Sequence, residues 1–476
     1  TVNILSVGAQ ETQEDNYSFI EIALNYANNF AGTTVLIPKG IYLIGNTLKI
    51  PNKTVLEGIG STSIANTIYP DKATGDVISC LKLKSRGNCN MIENLDKNTT
   101  TNIMVKNLYL HGNNENQSVT NINCINFNGD TPIRSGSIFE NIVCYYANGD
   151  GIYFGENQSA CKFTNVWAMR NNGNGFTLLG DDYQCMKWGA GNNSLAGLSI
   201  INGKGTLRSF DSDFFGNNQG VVLGATKSIK MYNAVIQNNQ KEGLYLDSSS
   251  FLSVLYFFGG YIGNNSIETS GGYSEITMVG KNTPLPLLFN GVQIGNANGS
   301  NKVKYLVEDN CTSKLNILLS NCDLVNNNAD EVTNTSSRNF ITDYCQSTNK
   351  AIVTPLKLPS TKPSAPMVGD SVINYDTYNI DMYNGTNWVG KYDVNYNYRS
   401  SNYTLTLNDF FLLVNGEITI TLPVEKVQQG RLYIISANST QTVTFESSVS
   451  ISGKTTLTEQ YGKVVCIFTV TSWYII

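Results

Sequence analysis

Five acidic side chains lie in or beside the turns of three neighbouring segments: Glu156, Asp181, Asp182, Asp211 and Asp213. Two carboxyl groups can hydrolyse a glycosidic bond, with retention when they lie about 5–5.5 Å apart or with inversion at about 6.5–9.5 Å. A neighbouring acid or an apolar wall raises the pKa of one carboxyl and makes it a general acid. Glu156, Asp182 and Asp213 are the preferred acid/base candidates. Asp211 aligns with Asn165 at an inner corner and therefore ranks below Asp213.

Two tryptophans and three cations in the same segments are candidates for binding a sugar polymer. If the pairs Asn171–Asn172, Asn192–Asn193 and Asn217–Asn218 mark equivalent corners, then Trp167, Trp188 and Asp213 share one position. Alternation along the strand predicts that Trp167 points outward, and Trp188 follows by analogy. An indole can pack on the CH face of a sugar, but it can equally cover the strand or a subunit contact. Cations that would hold an anionic polymer are Arg170, Lys187 and Arg208.

A regular repeat must position these side chains. Apolar runs that each begin with a glycine recur at Gly151, Gly175, Gly197, Gly220 and Gly243, in steps of 24, 22, 23 and 23 residues. Each step has room for two or three short strands and their Asn/Gly turns, but not for a helix as well. One such unit cannot bury its apolar side alone, whereas stacked units share a continuous core. The repeat therefore predicts a parallel β-helix with one coil per step.

Composition and charge restrict the classes of function. Charged residues make up 14% of the 476 residues and the net charge is -5, which with the lack of a basic stripe argues against a nucleic-acid partner. No apolar run approaches the roughly 20 residues that span a bilayer. The ten cysteines are scattered, so buried thiols are expected rather than a disulfide framework. His111, the only histidine, is expected at a solvated corner. We predict no metal site and no cofactor.

The first 60 residues are typical of an entry module. An amphipathic helix from Asp15 to Phe30, capped by Asp15 or Asn16, would cover the open end of the core. Its apolar face is expected to contain Phe19, Ile22, Ala23, Tyr26 and Ala27. It precedes the runs GTTVLIPKGIYLI, from Gly32, and LEGIG, from Leu56. These three pieces resemble the pectate-lyase-like β-helix module of bacteriophage tailspikes and depolymerases, although the acidic loop before the helix is reduced to AQETQED. The resemblance implies a right-handed helix and marks the fold; it does not identify catalytic residues.

The last 120 residues change character. Four prolines between Pro355 and Pro366 indicate a stiff linker, which leads to a GDSVIN…YNGTNW segment similar to small β elements of phage fibres. The ITITLP…GRLYII…WYII pattern resembles C-terminal sandwich domains of tail fibres and tailspikes, which trimerise or bind. We therefore predict four regions: 1–60, cap and first coils; 61–350, parallel β-helix; 351–395, linker and small β element; 396–476, β-sandwich.

These observations predict an all-β phage tailspike that binds and depolymerises a host cell-surface glycopolymer by carboxylate-catalysed hydrolysis. Capsule, exopolysaccharide and teichoic acid all fit as its partner. The resemblance implies a homotrimer, synthesised in the host cytoplasm and attached to the virion tail or baseplate through a part that precedes Thr1. The net charge and the lack of a long apolar run predict no nucleic-acid and no membrane partner. Three alternatives stay open: a non-catalytic receptor-binding adhesin on the same scaffold, a secreted polysaccharide lyase, and a purely structural fibre protein.

Overall fold

The computed structural model describes two units of the chain, 1–355 and 356–476. In the first unit it describes residues 1–60, 78–99, 101–201, 205–224, 228–247, 254–280, 287–295, 303–311, 317–325, 333–335, 340–343 and 346–347. In the second it describes 371–374, 379–383, 388–393, 397–406, 411–424, 432–437, 442–453, 455–458, 463–468 and 472–475. The predicted linker prolines, Pro355 to Pro366, lie outside the described residues.

The first unit is a right-handed parallel β-helix, as the repeat and the resemblance predicted. Each regular coil has three faces, and the first two are formed by one long strand that bends in the middle. These strands are Met104–His111, Ile138–Tyr145, Lys162–Met169, Tyr183–Gly191, Thr206–Phe215, Ser228–Gln237 and Val254–Gly263.

Shorter strands continue the first two faces at both ends of the helix. Before the long strands they are Val2–Asn3, Thr34–Ile37, Gly40–Ile44, Val55–Gly58 and Ser79–Leu83. After them come Leu287–Asn290, Gln293–Ile294, Ile317–Ser320, Asp323–Leu324, Phe340–Asp343 and Gln346–Ser347. The third face is a separate sheet of 11 strands. Its strands are Leu48–Ile50, Ile92–Asn94, Ile125–Phe127, Ile152–Phe154, Phe176–Leu178, Ala196–Ile200, Gln219–Leu223, Leu244–Asp247, Ile276–Gly280, Val307–Cys311 and Thr333–Thr335. A small parallel pair, Ile133–Arg134 with Gln158–Ser159, lies at the corner before the first face.

The bend in each long strand is made by one residue in the left-handed conformation. The first of these residues is Asn107. In the following coils they are Asn141, Asn165, Lys187, Asp211 and Asn233, and all six have φ between 52° and 58°. Asparagine tolerates this conformation better than most residues, which explains why it dominates the column. We call this column the bend column; it separates the first face from the second.

A ladder of buried asparagines fixes how the coils stack. Asn171, Asn193, Asn217, Asn239 and Asn265 are at most 3% exposed, and each side-chain oxygen accepts the backbone N–H of the ladder asparagine in the preceding coil, or of Ala147 at the start. The repeating glycines make room for this ladder. A Cβ on Gly197, for example, would lie 2.7 Å from Nδ2 of Asn217. The periodic glycines are therefore a consequence of the buried amides.

The ladder ends at a buried glutamate. Glu275 occupies the position that follows Gly243 in the glycine column, and its carboxylate accepts a hydrogen bond from Nδ2 of Asn265. Glu275 is 0% exposed, and burial raises its pKa to about 7 although hydrogen bonds from Asn264 and Asn265 oppose the shift. The last asparagine of the ladder is thus hydrogen-bonded to a buried carboxyl group.

The helix at the N-terminus runs from Tyr17 to Asn29 and packs on the first coils. Asp15, rather than Asn16, provides a side-chain cap, because its Oδ1 accepts the backbone N–H of Tyr17 at 2.9 Å. The buried face is Ile20, Ala23, Leu24 and Ala27, whereas Ile22 and Tyr26, expected inside, are 53% and 49% exposed. Two short 3-10 helices, Ile4–Val7 and Asn114–Asn116, complete the helical part of the described first unit.

The second unit contains a three-stranded antiparallel sheet and a two-sheet sandwich. The antiparallel strands are Ser371–Asn374, Asn379–Tyr383 and Trp388–Asp393. One sandwich sheet contains Asn397–Arg399, Phe411–Val414, Leu432–Ala437, Lys463–Phe468, Trp473–Ile475 and Ile451–Gly453; the other contains Tyr403–Thr404, Ile418–Thr421, Val443–Glu446 and Thr456–Leu457. The first three strands of each sheet pair in parallel, so this sandwich begins with coils of its own. Both sheets bury one shared apolar core.

The described cysteines are free thiols. Seven of them are buried as predicted, and Cys89 is half-buried. Among the described residues, no helix is long and apolar enough to cross a membrane.

Candidate functional site

The two tryptophans point in opposite directions, which corrects the sequence alignment. Trp167 pairs with Gly189, and Gly189 pairs with Asp213, whereas Trp188 pairs with Ser212. Trp188 is 0% exposed, and its ring centroid lies 4.7 Å from that of Phe176. The prediction of two stacked outward tryptophans was therefore wrong, and Trp188 is a core residue.

The buried asparagine ladder explains this error. The ladder residue is the first asparagine of the pair at Asn171 and at Asn217, but the second of the pair at Asn193. Aligning the pairs as units therefore shifts the middle coil by one residue, and a shift of one residue exchanges the two sides of a strand. The strand register confirms the alignment of Trp167 with Asp213. Trp167 points outward, because Val166 and Ala168 on either side of it belong to the main core and Trp167 does not.

Trp167 and Asp213 stand in one column on the second face, with Gly189 on the coil between them. A Cβ on Gly189 would lie 2.7 Å from Cζ3 of Trp167, so the indole ring lies over this glycine. The indole Nε1 donates a hydrogen bond to Oδ1 of Asn165 at 3.2 Å, which orients the ring. Trp167 is only 8% exposed, because it packs with other outward side chains of this face. The indole thus covers the coil that precedes the one with Asp213.

The carboxyl of Asp213 is largely removed from solvent. Burial raises the pKa of its carboxyl to about 6, and a hydrogen bond with the Gln237 side chain opposes the shift. Its Oδ1 atom is buried and has no hydrogen-bond partner among the described residues. A carboxyl with a pKa near working pH can both hold and release a proton. Asp213 therefore has a desolvated carboxyl.

Outward aromatic side chains continue from Trp167 along the second face. Tyr109, His111 and Tyr145 lie on the two preceding long strands, and the ring of His111 lies 5.3 Å from that of the adjoining Tyr146. His111 is 7% exposed, and its Nδ1 accepts the backbone N–H of Asn113 at 3.0 Å. The expectation of a solvated corner histidine was wrong. These side chains and Trp167 are called the second-face cluster below.

Arg170 joins the second-face cluster to the corner that follows it. Its guanidinium donates to the hydroxyl of Tyr146 at 3.2 Å and lies 5.9 Å from the ring centre of Tyr145. The sequence singled out Arg170 but not the tyrosines beside it. Alternation along Met104–His111 and Ile138–Tyr145 would have found them, because Tyr109, His111 and Tyr145 all stand on the outward side.

The other predicted acids and cations lie elsewhere on the coils. Glu156 is exposed in the turn after Ile152–Phe154, at the corner before the first face. At the same corner, Oδ1 of Asp181 accepts the backbone N–H and the hydroxyl of Thr206, so it holds a turn together. Asp182 lies 3.9 Å from Arg208, which points outward from the first face.

The acids at that corner are far from Asp213. Asp182 is aligned with Thr206 on the next coil. Asp213 follows Thr206 by seven residues and lies beyond the bend, and seven residues of extended strand span on the order of 20 Å. Asp211 is the acid next to Asp213 in the chain. It stands in the bend column, exposed rather than at an inner corner, and its Oδ1 accepts a hydrogen bond from Asn233 at 3.2 Å. Lys187 occupies the same column one coil earlier.

The described residues contain no group of three or more His, Cys, Asp or Glu side chains that could hold a metal ion. The chemistry available to the second face is therefore that of one desolvated carboxyl, a neighbouring exposed carboxylate, aromatic rings and a guanidinium.

No protein-family model matches the sequence, and no curated protein is similar to it. Solved structures do share its fold. The A-module of mannuronan C-5 epimerase AlgE6 from Azotobacter vinelandii superposes with a TM-score of 0.51 and 16% identity, over 73% of this chain and 100% of that one. The enzymatically active domain of tailspike protein 2 from bacteriophage CBA120 gives a TM-score of 0.52 at 12% identity, over 67% of this chain and 47% of that one.

A third solved structure is the catalytic unit of a GH87 alpha-1,3-glucanase from Streptomyces thermodiastaticus. It has a TM-score of 0.50 and 14% identity, and the match covers 77% of this chain and 71% of that one. Phage tailspikes and glycan-acting enzymes thus occur among the structural neighbours. At these identities the likeness establishes the parallel β-helix fold.

Proposed function

We propose that this chain is a phage tailspike that binds and hydrolyses a host cell-surface glycopolymer on its second face. The observation that carries the proposal is Asp213, an outward carboxyl whose pKa burial raises to about 6 and which stands two coils after Trp167 in the same column. A β-helix that needed only a stable wall would gain nothing from a desolvated acid there. The structural neighbours named for acting on glycans support the same class of substrate.

In this proposal Asp213 is the general acid. Its proton passes to the glycosidic oxygen as the bond to the anomeric carbon breaks, and the departing sugar leaves as an alcohol. Asp211 is the proposed general base, which removes a proton from the water that attacks the anomeric carbon. The backbone between these two residues spans at most about 7 Å. Side chains that diverge at the bend can hold their carboxyl groups at the separation of about 6.5–9.5 Å that inverting hydrolases use. We therefore expect inversion of configuration.

The second-face cluster would bind the polymer beside the acid. Tyr109, Trp167 and Asp213 belong to one outward column. Asp213 is four coils after Tyr109, which is about 19 Å along the helix axis. The polymer would therefore run along the helix axis, across the coils. Arg170 is placed to hold an anionic group of this polymer next to Tyr145. Glu156, Asp181, Asp182 and Lys187 lie outside this cluster, and Trp188 is buried in the core.

The assembly follows as a second part of the proposal. We infer a homotrimer carried on the virion tail or baseplate, in which the sandwich of the second unit contributes to trimerisation or binding. The polymer partner would be capsule, exopolysaccharide or teichoic acid. Light scattering of the purified chain tests the trimer, since a monomer at micromolar concentration would contradict it.

Reducing-end release from a panel of purified surface polymers tests the cleavage. We expect release by the wild type and by Asp182→Asn, and a loss of at least about 100-fold in Asp213→Asn, as for other removed general acids. The Asp182 variant is the matched control, because it removes an equally charged acid from the same coils. Equal activity of both variants would contradict the assignment of Asp213. A polymer that is bound but not cleaved would indicate an adhesin, and an unsaturated, ultraviolet-absorbing product would indicate a lyase.

A further inference from the structure

The first face carries a stack of aromatic rings that the proposed cleavage does not use. Phe210, Tyr232 and Phe258 occupy one outward position on three successive coils. The ring centroids are 4.8 Å apart with an interplanar angle of 7° for the first pair, and 5.1 Å apart with 10° for the second. Phe210 is 41% exposed, and Met186, one coil earlier in the same column, is 45% exposed. We call these four side chains the first-face stack.

The geometry of the stack determines what it can contact. Because the rings lie face to face along the helix axis, Tyr232 uses both of its faces within the protein, and the outer rings use one each. The ring edges are therefore the part that solvent reaches. An aromatic edge carries the positive end of the ring quadrupole, so it attracts oxygen atoms and anions rather than the CH face of a sugar. The stack is suited to the polar, negatively charged side of a ligand.

A column of cations runs parallel to the stack, two residues earlier on each strand. Lys162, Arg208 and Lys230 stand in this column with Gln184 between the first two. Arg208 and Lys230 are one coil apart, about 4.8 Å, and Lys162 lies two coils before Arg208, about 9.6 Å. Between Lys162 and Phe258 the charged residues of these two columns are all cations. This alignment would meet negative charges repeated along an extended polymer.

The acids near these cations stand at the two corners and on the coil before Lys162, where Glu140 shares the column of the stack. Asp182 lies 3.9 Å from Arg208, whose side chain is still 54% exposed, and Asp181 is held by Thr206. Asp211 adjoins Phe210 in the bend column, where the exposed Lys187 precedes it by one coil. The acids therefore border the cations and do not interrupt the column.

We propose that the first-face stack and its cation column form a second glycopolymer site, which binds a linear anionic polymer along the helix axis without cleaving it. The site lies across the bend from Asp213, so its occupation requires no catalytic group and goes beyond the proposed hydrolysis. Carboxylates of a polyuronate and phosphates of a polyol-phosphate polymer share the necessary chemistry. An anionic polymer fits the positive ring edges and the cations together, whereas a neutral glycan would use neither.

Binding measurements in an Asp213→Asn background test the site, because the polymer then stays intact. The probes are polygalacturonate, poly(glycerol phosphate) and neutral dextran, measured by calorimetry at low and at high ionic strength. We expect Arg208→Ala with Lys230→Ala to weaken binding of an anionic probe about tenfold or more at low salt. Phe210→Ala with Tyr232→Ala should weaken it as well. The carboxylate and phosphate probes show which anion the site prefers.

The matched control is Lys39→Ala with Lys49→Ala, which removes two exposed lysines from the first coils. Equal binding by the control and the Arg208/Lys230 variant would overturn the proposal, as would a protein that binds dextran as tightly as the polyanions. A change of oligomeric state in the Phe210/Tyr232 variant, seen by light scattering, would also overturn it, since the stack would then contact a second copy. Cleavage is measured separately, so a failure at this site leaves the role of Asp213 to its own test.

Discussion

The first and second faces of this β-helix are made from the same strands, yet their outward side chains differ in solvent exposure. On the second face Tyr109, Tyr145 and Trp167 are 1%, 3% and 8% exposed, and the acid that follows them has a raised pKa. On the first face Met186 and Phe210 are more than 40% exposed and stand beside cations. One residue in the bend column separates the two environments.

This difference shows how a uniform scaffold can divide its tasks. Burial changes the protonation of a carboxyl, which catalysis needs, whereas exposure leaves charges and ring edges free to contact a long polymer. Strand register decides the environment, because a shift of one residue moves a side chain from the wall to the core. Trp167 and Trp188 on adjacent coils are an example.

Replacing the two tryptophans is expected to give the largest difference in stability between an outward residue and a core residue. Trp188→Ala removes a fully buried indole and leaves Oγ of Ser209 without the hydrogen bond that it accepts at 2.8 Å. We expect a loss of about 3–5 kcal/mol in the free energy of unfolding. Trp167→Ala should cost clearly less, because that ring lies on the wall beside a glycine. Chemical denaturation followed by circular dichroism measures both values, and equal losses would contradict the assignment.

The asparagine ladder under both faces provides the next comparison. Asn217→Ala would remove two hydrogen bonds that Asn193 donates and two that the Asn217 side chain donates, all inside the core. We expect a loss of about 3 kcal/mol, because the remaining buried polar groups lose their partners. Asn172→Ala, an exposed neighbour of ladder residue Asn171, should cost less than about 0.5 kcal/mol. Similar unfolding midpoints for the two variants would show that the ladder does not stabilise the fold.

Glu275 tests whether a raised pKa by itself indicates catalysis. Its folded-state pKa is raised to about 7, above the ordinary value of 4.5, so its contribution to stability is complete below about pH 4.5 and is lost as the pH rises through 7. The loss is on the order of 3 kcal/mol, from about 1.4 kcal/mol per pKa unit. Glu275→Gln should remove this pH dependence from urea unfolding between pH 4.5 and pH 8.

The same Glu275 variant should leave the pH dependence of polymer cleavage unchanged, because the carboxyl is enclosed by the ladder and not by the second face. A changed activity profile would contradict the division between structural and catalytic acids. If unfolding of wild type and variant depended on pH in the same way, Glu275 would not be the buried titrating group that its position indicates.

The repeat in the sequence predicted the β-helix, because the glycines at steps of 22 to 24 residues mark where each buried amide lies. It did not predict which asparagine of each pair is buried, since both members are compatible with a turn. That choice follows from packing between coils and decided the position of Trp188. Asp213 was found from its alignment with Trp167, but its distance from Asp182 could not be known without the bend. The helix face was partly wrong for the same reason, because only contacts reveal that Leu24 is buried and Tyr26 is exposed.

The central claim, that Asp213 supplies the proton, is tested most directly by the pH dependence of reducing-end release between pH 4 and pH 9. The raised pKa predicts that wild-type kcat/KM falls as the pH rises through about 6, because the acid must be protonated in the free enzyme. The Asp182→Asn variant should keep this profile. Asp213→Asn should lose the activity together with the descending limb. A wild-type profile that stays flat through pH 6, or an Asp213→Asn variant that retains the limb, would contradict the account.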